Sequence, residues 1–142
     1  MAKYAATIES AWSPEQTFEY LATFSNAAEW DPGVAKAEAL QPGPPRAGVV
    51  YRLSVVLAGR GTNFDYRILE IERPRRVVLQ AVHPLACSID TIEVEPADGG
   101  AVVHYDAVLQ PRGILRVVAP FVDRRFRIVG ERAAVGLRSA LA

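Results

Sequence analysis

Apolar residues recur with a period of two over residues 3–11, where Tyr4, Ala6 and Ile8 share one side and Lys3, Thr7 and Glu9 interrupt them. This spacing predicts a first strand. Ser13-Pro14-Glu15-Gln16 then marks a helix start. Ser13 is placed to cap the Gln16 amide and Gln16 to reach back to Ser13, Pro14 occupies the first helical position, and Glu15 suits the positive end of the dipole. Phe18, Leu21 and Ala22 form the buried stripe of this short helix. A second short helix starts at Ser25 or Asn26, since Asn26 and Glu29 have capping-box spacing, and runs to about Trp30. Asp31-Pro32-Gly33 stops it with the residue pattern of a type II turn.

From residue 34 to about residue 110 the chain reads as six more strands, at 34–41, 48–58, 61–73, 75–83, 87–96 and 101–110. They are separated by turns at Pro42-Gly43-Pro44-Pro45, Gly59-Arg60-Gly61, Arg73-Pro74-Arg75, Pro84 and Asp98-Gly99-Gly100. Val49, Tyr51, Leu53, Val55 and Leu57 share one face of 48–58, and Val103, Tyr105, Ala107 and Leu109 share the inward face of 101–110. The strand at 61–73 changes phase, with Phe64, Tyr66 and Ile68 on one face and Leu69 and Ile71 on the other, so a bulge is expected near Ile68. From Arg112 the period becomes helical. Leu115, Val118, Val122, Phe126, Val129, Ala133, Leu137 and Leu141 fall on one stripe of a long C-terminal helix that Pro120 should kink or divide.

One domain over residues 1–142 accommodates all of these elements, and 50% hydrophobic with 23% charged residues is the balance of a chain that buries a core. Sixteen basic and sixteen acidic residues cancel, so the molecule lacks the general positive field of a nucleic-acid-binding protein. The cancellation hides a gradient, because residues 112–142 carry seven arginines against Asp123 and Glu131. Cys87 is the lone cysteine, which rules out an intrachain disulfide and a cysteine metal cluster and suits a reducing compartment. No signal-length or membrane-spanning apolar run occurs, so a cytoplasmic protein without integral membrane association is expected. Gly-x-Ser-x-Gly, Walker and Gly-x-Gly-x-x-Gly patterns are missing, which removes serine hydrolase and nucleotide-binding readings.

Residues 14–34 (PEQTFEYLATFSNAAEWDPGV), Pro-Arg-Arg-Val at 74–77, the Asp-Gly-Gly turn before HYDAVL, and GILRVVAPF at 113–121 together resemble the polyketide cyclase/dehydrase branch of the START-like (SRPBCC, Bet v 1-related) superfamily. The resemblance spans residues 3–141. It implies an α+β helix-grip fold, in which a seven-stranded antiparallel curved sheet wraps a long C-terminal helix and two short helices follow strand 1. It also implies a deep cavity for hydrophobic or amphipathic small molecules such as lipids, sterols and polyketides. It does not imply one reaction or a cofactor, and it carries no catalytic motif onto these positions.

Within that framework Trp30 is expected at the cavity mouth, as a lid or as a structural plug. Tyr51, Phe64, Tyr66 and Tyr105 supply aromatic walls with sparse hydroxyls, and Leu53, Val122 and Phe126 complete the candidate ligand-binding set. His83, at a strand end, has the better chance of reaching the interior, whereas His104 alternates with inward residues. Two histidines without neighbouring ligand types make no metal site. Asp65 and Asp90 lie in strands of ambiguous phase. An inward carboxylate there would need a partner such as Arg52 or Arg67, and the solvated face is the ordinary alternative. On the back of the C-terminal helix, Val117, Phe121, Ile128 and Val135 form a second apolar line flanked by arginines. A homodimer through this line is expected ahead of an anionic membrane or coverage by the chain's own loops. Two functions remain: binding of an apolar molecule without covalent chemistry, or an aromatase/cyclase or dehydratase that uses Tyr, His or Asp groups in the same cavity.

Overall fold

The computed structural model describes residues 1–57 and 59–142, with the backbone alone described at Leu57. Seven strands form one antiparallel sheet: β1 (Ala2–Ser10), β2 (Val34–Ala39), β3 (Val50–Leu57), β4 (Arg60–Glu72), β5 (Arg76–Val82), β6 (Ala86–Ala97) and β7 (Gly100–Pro111), in the spatial order β1-β7-β6-β5-β4-β3-β2. Consecutive strands pair as hairpins from β2 to β7. Only the connection from β1 to β2 crosses from one edge of the sheet to the other, and it is made by α1 (Pro14–Ala22), a 3-10 turn (Phe24–Asn26) and α2 (Ala27–Trp30). The sheet curls into a half-barrel around α3 (Ala119–Ala140), which is the helix-grip fold expected from the sequence.

Local chemistry explains most element boundaries. Ser13 Oγ accepts the Gln16 amide at 3.1 Å and Pro14 sits in the first turn, as the motif predicts. The bulge expected near Ile68 is present, since the β4–β5 register slips between Ile68 and Glu70. This keeps Ile68 buried while Leu69 turns outward. The strand expected to run to residue 58 ends at Leu57 in the described chain, and Ala58, with the Leu57 side chain, lies outside the described residues.

Two local expectations are corrected. Asn26 stands at the N-cap position of α2 but its side chain makes no capping bond, because the 3-10 turn that it ends already sets its backbone in the helical region. Its amide donates instead to the Tyr20 carbonyl, and Glu29 accepts from the Tyr20 hydroxyl. Asp31–Val34 is a turn closed by Val34 N–H on the Asp31 carbonyl, but Gly33 is not left-handed, so it is not type II. The Asp31 carboxylate accepts the Gly33 amide at 2.8 Å and fixes the turn in its place. As expected from Pro120, the helical run after Arg112 is divided, with a 3-10 turn at Gly113–Arg116, a break at Val117–Val118, and α3 starting where Pro120 falls in the first turn and forfeits no hydrogen bond.

The sheet interior has two parts. At the end covered by α1, large side chains including Phe18, Leu21, Tyr51, Ile68, Leu79, Ile92 and Val103 pack into a continuous core. The C-terminal end of α3 joins this core through Ala134, Leu137 and Leu141. Two glycines set the approach of α3. Gly130 lies against the Tyr4 ring and Gly136 against the Trp30 carbonyl, and a Cβ at either would collide with those atoms. Gly136→Ala should lower unfolding free energy by about 1–3 kcal/mol in urea melts, because a backbone obstacle outweighs the usual helical gain of alanine. A stabilised Gly136→Ala protein would contradict this packing.

Candidate functional site

Toward the other end the sheet and α3 do not meet, and they leave a cavity of about 380 Å³. This lies within the range of about 300–1,000 Å³ usual for small-molecule sites. Its walls come from β1 (Tyr4, Ala6, Ile8), α2 and its turn (Ala27, Trp30, Asp31, Gly33), β3 (Leu53, Val55, Val56), β4 (Phe64, Tyr66), β6 (Ala86, Ser88, Asp90), β7 (Tyr105, Ala107, Leu109) and α3 (Val122, Arg125, Phe126, Val129). Most of this lining is apolar. The stripe expected to be buried on α3 is therefore fully buried only in its second half, since Val122, Phe126 and Val129 line the cavity, Phe126 also packs against the edge of the core, and Val129 stays 39% exposed.

A buried polar cluster interrupts the apolar wall. Asp90, 7% exposed, accepts from the Tyr105 hydroxyl through Oδ2 and from Ser88 Oγ through Oδ1 at 3.2 Å, and Tyr66 Oη donates to Ser88 Oγ at 3.2 Å. The result is a converging chain of hydroxyls that ends on one carboxylate. Strand register builds it, because Ser88 and Asp90 share the inward face of β6 with Ile92 and Val94. Tyr105 stands on neighbouring β7 opposite Ile92, one inward position along from Asp90. Burial pushes the Asp90 carboxyl up to about 6, the Tyr105 and Ser88 hydrogen bonds hold it down in part, and Asp31 raises it further. Burial and the Asp90 charge push both phenols, Tyr66 and Tyr105, well above the ordinary tyrosine value, so they remain protonated donors. Asp31 is also pushed up, mainly by burial, against the Gly33 hydrogen bond.

Trp30 closes the wall beside this group. It is 4% exposed and edge-on to Tyr105 (5.8 Å between centroids) and Phe24 (6.3 Å), and its Nε1 has no hydrogen-bond partner among the described residues.

Seven of the nine residues expected to bind ligand stand on the cavity wall: Trp30, Leu53, Phe64, Tyr66, Tyr105, Val122 and Phe126. Tyr51 and His83 do not. Tyr51 is fully buried in the packed end of the core, where Arg46, Arg73 and Glu19 surround its hydroxyl. The His83 ring packs on Phe64 at 4.6 Å, and its Nδ1 accepts the Leu85 amide at 3.0 Å, which ties it to the β5–β6 turn. His104 is on the outer face between Thr7 and Glu95. Asp65 also lies outside, paired with Arg52 at 2.9 Å, the solvated alternative for that residue. Asp90 takes the opposite course and turns inward, with tyrosine and serine rather than arginine as partners. Sequence reasoning did not anticipate Ser88, Asp31 or Arg125 on the wall. The signal for Ser88 was its parity with Ile92 and Val94. Among the described residues no cluster of histidine, cysteine or carboxylate side chains is arranged to hold a metal ion, and no helix is long and apolar enough to cross a membrane.

A curled sheet gripping a helix over an apolar cavity with a buried polar cluster defines a helix-grip protein. The family described as "Polyketide cyclase / dehydrase and lipid transport" matches residues 1–142, and the chain belongs to that family. Among solved structures, a START superfamily protein from Mycobacterium smegmatis has a TM-score of 0.80 at 15% identity, covering 99% of this chain and 97% of that one. The Zhui aromatase/cyclase from Streptomyces sp. R1128 has a TM-score of 0.70 at 22% identity, covering 98% and 90%. The major latex-like protein 151 of Panax ginseng has 0.67 at 8%, covering 99% and 97%. These identities speak for the fold alone. No curated protein matches the sequence significantly.

The buried carboxyl gives a pH signature. The folded state holds the Asp90 proton up to about pH 6, while the unfolded chain releases it near 3.8, so the native state binds more protons between those values and loses stability as pH rises through them. The difference corresponds to about 3 kcal/mol. Asp90→Asn should therefore gain stability relative to wild type between about pH 4 and about pH 7, by up to that amount, in urea melts across this range. A pH-independent difference would contradict the assigned burial.

Proposed function

We propose that this protein binds a hydrophobic or amphipathic small molecule, lipid-, sterol- or polyketide-like, in the cavity between the sheet and α3. The apolar body of the ligand lies along Leu53, Phe64, Val122 and Phe126, and its polar end reaches the group centred on Asp90. The observation that carries this reading is the contrast within one cavity: a mostly apolar wall with a hydrogen-bonded polar cluster centred on Asp90. Native mass spectrometry of freshly purified protein, followed by organic extraction, should show one small molecule per chain. Ala107→Phe, which adds a ring to the cavity wall opposite Asp90, should fold and weaken that binding by about tenfold or more. Equal occupancy in wild type and Ala107→Phe would count against the cavity as the binding site.

The convergence of Asp90, Ser88, Tyr66 and Tyr105 favours a second reading, an aromatase/cyclase or dehydratase. In it the Asp90 carboxylate removes a proton from carbon while a neutral tyrosine hydroxyl supports the developing oxyanion. Histidine has no part in this reading, because His83 and His104 both lie off the cavity wall. Turnover of a poly-β-ketone that Asp90→Asn lowers by about 10²–10⁴-fold while binding persists would establish this reading, and binding without turnover would establish the first.

Self-association through α3 belongs to the same proposal. Phe121, Ile128 and Val135 recur every seven residues and are exposed, with Val117 beside them at the joint before the helix. Phe121 also reaches the cavity wall, so Ile128 is the cleaner probe. Ile128→Glu should convert a dimer to a monomer in sedimentation velocity, and an unchanged size would remove this interface.

A further inference from the structure

Two carboxylates stand on the wall of one cavity, Asp90 on β6 and Asp31 in the turn after α2. Neither forms a salt bridge among the described residues. Asp90 accepts from the Tyr105 and Ser88 hydroxyls and Asp31 from the Gly33 amide, so the partners of both are neutral. The Asp31 charge also bears on the cluster around Asp90. It helps to push up Asp90, Tyr66 and Tyr105, and no arginine or lysine charge opposes it at any of the three. Asp65 makes the contrast, since on the outer face it has Arg52 against it at 2.9 Å. Arg125, the one cationic side chain among the described lining residues, is exposed and pairs with neither acid.

Carboxylates withdrawn from water are ordinarily matched by a cation, and here the chain supplies none. A carboxylate offers about four acceptor sites, and hydroxyls take two of those on Asp90. A protonated amine brings the missing charge and N–H donors in one group. A hydroxyl brings a donor without the charge, and an anionic head adds to the repulsion.

We propose that the cavity selects cationic amphiphiles, amines on an aromatic or aliphatic body, by pairing the ligand ammonium with the Asp90 carboxylate while the Asp31 charge adds to the attraction. This inference rests on the cavity-binding reading above and names the ligand class for it. Its rival is an anionic amphiphile paired with Arg125.

Three probes with one naphthyl body separate these cases: 2-naphthylmethylamine, 2-naphthylmethanol and 2-naphthoate, a cation, a neutral alcohol and an anion. They are titrated calorimetrically into the full chain at about pH 7.5, above the Asp90 midpoint and below that of the amine. The amine should bind about tenfold or more tighter than the alcohol, and naphthoate should bind weakest. Asp90→Asn keeps the side-chain shape and removes the charge. It should cut amine affinity by about tenfold or more and leave the alcohol within about threefold. Asp31→Asn should weaken the amine by about 2–5-fold, whereas Asp65→Asn, on the outer face, should leave it unchanged. An amine that binds no tighter than the alcohol, or that keeps its affinity in Asp90→Asn, overturns the inference and leaves cavity binding standing. Naphthoate binding best overturns it too, and loss of that binding in Arg125→Gln would establish the rival. If none of the three binds, the inference is overturned, and the cavity reading falls with it only if native mass spectrometry also finds no small molecule on the chain.

Discussion

The burial of one carboxylate inside an apolar half-barrel is the constraint on which the rest of the site depends. An isolated carboxylate there would cost several kcal/mol, so Asp90 is tolerable only with the Tyr105 and Ser88 hydroxyls donating to it and Tyr66 donating to Ser88 in turn. These four side chains come from three different strands, β4, β6 and β7. The cluster therefore fixes the mutual positions of strands that the hydrophobic core alone would hold less specifically. It also places fixed dipoles and a titratable group where a ligand would lie, in surroundings that strengthen every electrostatic interaction.

The cavity is a consequence of how α3 is delivered to the sheet. Pro120 starts the helix after a break, and Gly130 and Gly136 let its second half press onto Tyr4 and the Trp30 carbonyl. The close approach at one end leaves the other end open, where Val122, Phe126 and Val129 line the cavity. Packed core and binding volume are thus two ends of a single sheet–helix interface. The Trp30 indole belongs to both, packed against the core and standing on the cavity wall.

Much of this was legible in the chain. The seven strands, the Ser13 cap, the bulge beside Ile68 and the division at Pro120 each follow from local patterns that tertiary structure left in place. The failures are local too. Asn26 has the spacing of a cap, but the preceding 3-10 turn had already claimed its backbone. Tyr51 has the inward parity of a cavity residue, yet parity does not say which end of a strand is packed and which is open. Asp90 was obscured by its neighbours. Early in β6 the apolar residues Cys87 and Ile89 occupy the outward parity and the polar Ser88 and Asp90 the inward one, and Ile92 and Val94 reverse the sense only later. Binary patterning misleads at that point because the inward face there serves a polar cluster rather than core, which is where such rules are expected to fail.

The central claim is that the Asp90 carboxyl sits in an apolar, hydroxyl-lined cavity. Its most direct test is the carboxyl titration of Asp90 by carbon-13 NMR, assigned by comparison with Asp90→Asn. The account requires a midpoint raised to about 6, above the ordinary 3.8. A midpoint at or below the ordinary value would mean that Asp90 is solvated and does not lie in an apolar cavity.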